Sequence, residues 1–163
     1  MADVQVTTGH RRHRADVYTR IEVTTKRRKM LAHLDTGAEL SVCPLRYVRS
    51  SRYIIPVSTK VYAVNGTPIR ITGATRIYFE IQGKRFYADV LVSEDVKEIL
   101  LGYNFLESFA CEWLFRQRRI IIDGMSVPLR NPWAKSESES PVPVHVEVND
   151  QAPCNTAAST DGV

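Results

Sequence analysis

Asp35-Thr36-Gly37 is the one place in this chain where residue types and spacing look arranged for chemistry: a carboxylate on a tight turn directly behind an apolar run, Met30-Leu31-Ala32-His33-Leu34. A carboxylate held by its neighbours rather than swinging in solvent suits acid–base work on a water molecule. Gly37 permits a backbone path that a residue with a Cβ resists, and Thr36 supplies a hydroxyl that can tie the turn down. The same tripeptide also serves as an ordinary turn, in which Asp bonds its own backbone and Gly takes positive φ. Three residues do not decide between these readings, so the surrounding elements must. The motif occurs once, because Asp123-Gly124 and Asp161-Gly162 lack the intervening hydroxyl residue.

Residues 17–25 alternate, with Val17, Thr19, Ile21 and Val23 on one side, the period-two pattern of a half-buried strand. A polar turn at residues 26–29 leads into a strand at 30–34, and residues 44–51 read as irregular or as a short helical turn. Two strand-like runs, 60–64 and 69–72, flank Asn65-Gly66-Thr67-Pro68, and Asn-Gly in that setting is a strong hairpin signal. Ile77, Phe79 and Ile81 alternate before Gln82-Gly83-Lys84, and Phe86, Ala88, Val90 and Val92 alternate after it, which predicts a second hairpin. Ile99-Leu100-Leu101 reads as a short buried strand ending at Gly102, and residues 103–109 carry helix-compatible spacing. Trp113-Leu114-Phe115 and Ile120-Ile121-Ile122 flank a basic turn as a third hairpin, with Val127-Pro128-Leu129 as an added edge segment. So many short strands with one short helix predict an all-β, closed or partly closed barrel.

At 163 residues, 44% hydrophobic and 25% charged, the chain has the size and composition of one globular domain with tails. Its division reads as a basic flexible arm over 1–16, a folded domain over 17–130, and a disordered acidic, Pro- and Ser-rich tail or linker over 131–163. The net charge of +4 is unevenly spread, and Gly9-His10-Arg11-Arg12-His13-Arg14 is the densest basic run. That run suits contact with RNA or another polyanion. With no aromatic interleaved for base stacking, a solvated arm is the preferred reading. No apolar run approaches the roughly 20 residues that span a bilayer, and the N-terminus lacks an apolar leader core. The expectation is a chain without membrane contact, cytoplasmic or inside a virus-like particle.

Cys43, Cys111 and Cys154 are odd in number and form no CxxC pair, which argues against a disulfide framework or zinc site and suits a reducing compartment. His10 and His13 lack companion ligands, so neither a metal nor another cofactor is expected. His33 reads as a packed or edge histidine, Cys43 as a small buried hydrophobe, and Trp113 as a packing residue.

The order strand, Asp35-Thr36-Gly37-Ala38, Asn-Gly hairpin, second hairpin, Ile99-Leu100-Leu101-Gly102-Tyr103-Asn104-Phe105-Leu106 resembles the aspartic proteases of retroviruses and long-terminal-repeat retrotransposons, the retropepsins, and most of all those of gypsy-type elements. The resemblance covers about residues 17–125. It rests on the Asp-Thr-Gly turn and on the apolar-apolar-Gly segment some 65 residues later, with Ile77-Tyr78-Phe79-Glu80-Ile81-Gln82-Gly83-Lys84 and Asp89-Val90-Leu91-Val92 similar in between. It implies a retropepsin-like closed β-barrel with one short C-terminal helix, a single-lobe monomer forming a C2 homodimer. Carried over by position, Asp35 is the catalytic aspartate, Thr36 bonds across the dimer, and Gly37, Ala38 and Glu39 line the substrate groove. Residues 60–71 are the flap, with Tyr62 on it and Val64-Asn65-Gly66 at its tip. Leu100 packs beside the turn and Val96 lies near the side-chain pockets. Three features depart from the family. The tip is Asn65-Gly66-Thr67-Pro68 rather than Gly-rich, Tyr103 stands where many members have Arg to pair with the acid matching Glu39, and the chain continues past Cys111 into more strand. Cys111 lies near where the family's subunits join, which raises redox control of assembly as an idea.

The resemblance also explains the single motif. Two carboxyls a hydrogen bond apart cannot both ionise easily, so one holds a proton while the other is a base, and the aspartic-protease dyad is itself the standard example. One motif per chain then requires two chains about a two-fold axis. The expected function is a homodimeric aspartic endopeptidase acting on peptide or polyprotein substrates and maturing the polyprotein that encodes it. The alternative is a non-catalytic dimerisation or peptide-binding domain of the same fold, touching RNA through its basic arm. A cellular member of the fold that clips regulatory proteins is a third reading.

Overall fold

The alternating runs fold into a barrel because each buries one side and exposes the other. A computed structural model describes residues 4–6, 18–25 and 28–131; the basic run at 9–14, Cys154 and the expected tail beyond Asn131 lie outside the described residues. The strands are β1 (Val4–Val6), β2 (Arg20–Thr25), β3 (Arg28–Leu34), β4 (Ser41–Pro44), β5 (Val61–Ala63), β6 (Pro68–Ile69), β7 (Gly73–Ile81), β8 (Lys84–Ser93), β9 (Ile99–Leu101), β10 (Glu112–Leu114), β11 (Arg119–Ile122) and β12 (Met125–Pro128). One short helix, α1 (Tyr103–Ser108), separates β9 from β10. Six strands close in the order β2-β3-β9-β4-β8-β7, and Thr24 pairing with Glu80 joins the ends. Closure leaves the barrel without an open edge. Two three-stranded sheets, β1-β5-β6 and β10-β11-β12, are added to it.

All three expected hairpins form: Val61 pairs with Ile69, Phe79 with Phe86, and Trp113 with Ile120. Gln82 and Gly83, both at positive φ, make the tight turn between β7 and β8, the geometry whose twist matches that of the strands. Four details differ from the sequence expectation. Ser41–Pro44 is a strand, β4, buried along its whole length between β8 and β9. With both sides covered it has no alternation to betray it. Arg28 and Lys29, expected in a turn, extend β3 by pairing with Thr25 and Thr24. Pro68, also expected in a turn, opens β6, where a missing N–H is tolerated. Val4–Val6, within the stretch read as a flexible arm, pairs with β5 as a strand.

Two apolar clusters lie on opposite sides of β4 and β9. Cys43, Ile99 and Leu101 join Ile21, Leu34, Phe79 and Phe86 in the barrel core, where Phe105 of α1 and Ile120 and Ile122 of β11 are also buried. Val42 and Leu100 join Leu91, Val96, Val61, Ala63 and Ile69 in a second cluster beneath the β5–β6 hairpin. Adjacent residues of one strand therefore serve different cores, which is why Ile99-Leu100-Leu101 is apolar throughout. The hairpin thereby packs on the side of β4 and β9 opposite the barrel core, and Leu40, just past the Asp-Thr-Gly turn, packs against the same cluster.

Candidate active site

β3 ends at Leu34, whose N–H donates to Thr19 O (2.8 Å), and the next N–H, of Asp35, donates to Leu101 O (2.9 Å). The turn is thus anchored on both sides before its side chain is considered. Gly37 N–H donates to Asp35 Oδ1 at 2.9 Å, and Ala38 N–H to Asp35 O at 3.3 Å. Asp35 is only 7% exposed, and its Oδ2 is buried with no hydrogen-bond partner among the described residues. Thr36 and Gly37, on either side of the turn's crest, are exposed, while Ala38 is fully buried. One carboxylate oxygen is therefore oriented by the backbone and the other is left to be satisfied from outside the chain.

The turn is clamped from beneath by the start of α1. Tyr103 N–H donates to Ala38 O (2.7 Å) and Asn104 N–H to Glu39 O (3.1 Å). Ser41 donates to Asn104 Oδ1 twice, from its N–H (2.9 Å) and its hydroxyl (2.7 Å), while the hydroxyl accepts from Gly102 N–H (2.9 Å). Asn104 Nδ2 completes the set by donating to Asp89 O at 2.9 Å. A Cβ on Gly102 would lie 2.7 Å from Ala38 O and 2.8 Å from Leu40 C and O. Glycine stands there because the helix start and the turn touch backbone to backbone. The sequence reading placed Asn104 in a motif but gave neither it nor Ser41 a role. Ser41 left no signal, being one residue of a uniformly buried strand.

A charged group borders the same floor. Register partners on neighbouring strands share a face, and Arg20 pairs with His33, His33 with Leu100, and Val42 with Leu100. His33 and Arg20 therefore lie on the face that Leu100 and Val42 present to the hairpin. Arg20 holds Glu98 through two bonds, Nε to Oε2 at 3.0 Å and Nη2 to Oε1 at 2.8 Å. His33 Nδ1 is 3.8 Å from the same Oε1. His33, expected as a packed or edge residue, belongs to this polar margin one position before Leu34-Asp35.

The structure brings some expected groove residues together and separates others. Val96 and Leu100 are buried in one cluster with Val61, Ala63 and Ile69 of the hairpin. Tyr62 alternates to the other side of β5 and is half-buried. Val64, Asn65 and Gly66 form the exposed tip, where Gly66 N–H donates to Ala63 O (2.8 Å), Asn65 Oδ1 accepts from Thr67 N–H (3.0 Å), and Gly66 has φ +81°. Glu39 is exposed and forms no ion pair among the described residues. A shallow cleft of about 300 Å³ lined by Pro44, Leu45, Arg46, Ser93, Glu94 and Val96 shares Val96 with the expected groove but none of the turn residues.

Thiol chemistry has little support here. Burial pushes the Cys43 thiol up to about 12. Burial, reinforced by the charge of Asp123, pushes Cys111 up to about 11. Both are almost entirely protonated at neutral pH, and the thiolate that redox coupling needs is scarce. Among the described residues no three His, Cys, Asp or Glu side chains gather into a potential metal site, and no helix is long and apolar enough to cross a membrane.

A closed six-stranded barrel in a single lobe, with one short helix packed beside an Asp-Thr-Gly turn, is the retropepsin-like fold. The chain is similar to the crystal structure of the retroviral protease-like domain of Ddi1 from Leishmania major, with a TM-score of 0.55 and 17% identity over 71% of this chain and 95% of that one. It is also similar to EIAV protease complexed with the inhibitor HBY-793, with a TM-score of 0.46 and 19% identity over 60% of this chain and 92% of that one. No protein-family model matches the sequence, and no curated protein matches it significantly.

Proposed function

We propose that this chain is half of an aspartic endopeptidase, with residues 17–130 as the catalytic domain and Asp35 as its one contribution to a shared dyad. The observation that carries the reading is the state of Asp35: buried, oriented through Oδ1 by Gly37 N–H, and with Oδ2 buried and unsatisfied within the described chain. An unpaired buried carboxylate oxygen costs stability, and a proton shared with a second carboxyl relieves it. The exposed Thr36 and Gly37 beside it give a second copy a surface to meet about a two-fold axis.

In that assembly the ionised carboxyl takes a proton from water, the water attacks the peptide carbonyl, and the protonated carboxyl donates to the developing oxyanion. The substrate lies extended between the floor and the β5–β6 hairpin, gaining main-chain hydrogen bonds as an added strand. Gly37, Ala38 and Glu39 border it from below, and Tyr62, Val64, Asn65 and Gly66 from above. Val96 and Leu100 support the apolar floor. The substrate class is a polypeptide with bulky apolar residues about the cleaved bond, and the natural one is the polyprotein that carries this segment.

The test combines native mass with activity. Peptide cleavage per chain should fall on dilution as dimers dissociate, and Asp35→Asn should abolish it by at least about 10³-fold while leaving the dimer. Full specific activity from a monomer, or retained activity in pure Asp35→Asn protein, would overturn the reading.

A further inference from the structure

The β5–β6 hairpin has two edges, and they are unlike. The β6 edge is closed: Pro68 has no N–H, the Arg70 N–H donates to Asp95 Oδ2 at 2.9 Å, and the Thr72 N–H donates to Val92 O at 2.8 Å. The β5 edge is the one left for strand addition. It is occupied by the chain itself, since β1 lies parallel to β5 in the register Val4↔Val61, Gln5↔Tyr62, Val6↔Ala63. β5 is also the strand seated on the floor, with Val61 and Ala63 packed in the cluster of Val42, Val96 and Leu100.

We infer that the β5 edge is the docking edge of the hairpin for an extended peptide, and that residues 4–6 are its resident occupant, a built-in competitor that an incoming peptide must displace. That the incoming peptide is a substrate rests on the function proposed above; the pairing does not. A two-fold assembly presents its β5 strands in opposite directions to one bound peptide, so the peptide runs parallel to one of them, as β1 does. A three-residue parallel ladder offers few hydrogen bonds and is weak. Being part of the same chain, β1 meets the edge without a bimolecular encounter. Such a strap holds an empty edge and yields to a longer peptide.

Proline substitution in the full chain tests this. Successive N–H groups of a strand point to opposite sides, so either Gln5→Pro or the double variant Val4→Pro/Val6→Pro must remove donors aimed at β5. Because the Ala63 N–H donates within the hairpin to Thr67 O, it is the Tyr62 N–H that faces β1, and one of the two variants should raise its hydrogen exchange by about tenfold or more, with β7 and β8 unchanged. The same variant should bind a fluorescein-labelled peptide copy of residues 1–12 that the parent binds at least about tenfold more weakly, and should show a lower KM for cleaved peptides at unchanged kcat. Unchanged exchange in both variants would remove the pairing. Raised exchange without gain in peptide binding would show that the edge is no docking site. Protection at Tyr62 that falls on dilution of the parent would assign the strand to a second copy instead. A chain that cleaves nothing defeats the proposed function, while exchange and peptide binding still read this inference.

Discussion

The floor that carries Asp35 and the β5–β6 hairpin, packed against Val42 and Leu100, are built in contrasting ways. The floor is held by bonds between parts of the chain far apart in sequence: Ser41 and Asn104 lie 63 residues apart, Ser41 and Gly102 61 apart. The donors and acceptors of that lattice are uncharged. The hairpin has only a two-pair ladder between β5 and β6, an exposed tip closed by bonds within four residues, and an ionic root in which Arg70 grips Asp95. Buried, neutral, long-range bonding fixes a group in place. Short local ladders and exposed ion pairs open at little cost. Under the proposed function, the carboxylate that meets a partner within a hydrogen bond's length sits on the first kind of structure, and the cover that admits a peptide is of the second.

The strongest challenge to that contrast is Gly102→Ala. The added Cβ meets backbone atoms of Ala38 and Leu40 that have no rotamer to give way. Stability should fall by about 2–3 kcal/mol, as for overpacking at a rigid site, and activity should fall with it as the Asp35 turn is displaced. Denaturant unfolding together with cleavage assays at a temperature where the variant is folded checks both. A neutral result would mean that the floor is pliable.

Asn104→Ala is the next test, because it leaves the N–H and hydroxyl of the fully buried Ser41 without their acceptor. The expected cost is about 1–3 kcal/mol, read as a lower denaturation midpoint. Asn104→Asp should recover part of it, since a carboxylate still accepts from Ser41 but cannot donate to Asp89 O. Equal losses in the two variants would place the importance of Asn104 at Asp89 rather than under the turn.

How much of this was legible beforehand follows from the range of each interaction. The Asp-Thr-Gly turn, the Asn65-Gly66 hairpin and the alternation from Ile77 to Val92 are local patterns, and the structure contains all three elements. The clamp was only half visible: Gly102 and Asn104 stood out within an apolar segment, but nothing local says that Ser41 lies beneath them. Arg20, His33 and Glu98 come from three separate stretches and meet only through barrel register. β1 is three residues long, too short for alternation to register, and is a strand only because β5 offers an edge.

The smallest expected effect separates the regions by charge. The hydrogen bonds from Arg70 hold the Asp95 carboxyl below its ordinary value. The contribution of that pair is therefore complete above the unfolded carboxyl pKa of about 3.9 and is lost as the pH falls through the lower, folded value. The Ser41–Asn104–Gly102 bonds contain no group that titrates in this range. Acidification from pH 6 to pH 3 should accordingly loosen residues 61–72 before it loosens residues 38–41. The measurement is amide exchange at both segments, corrected for intrinsic rates, and Asp95→Asn should produce the loosened hairpin already at pH 6. Because the pair is exposed, the shift in overall stability should be slight. Its value is diagnostic: if floor and hairpin loosen together, they are one cooperative unit and the division of labour between them is not built into the bonding.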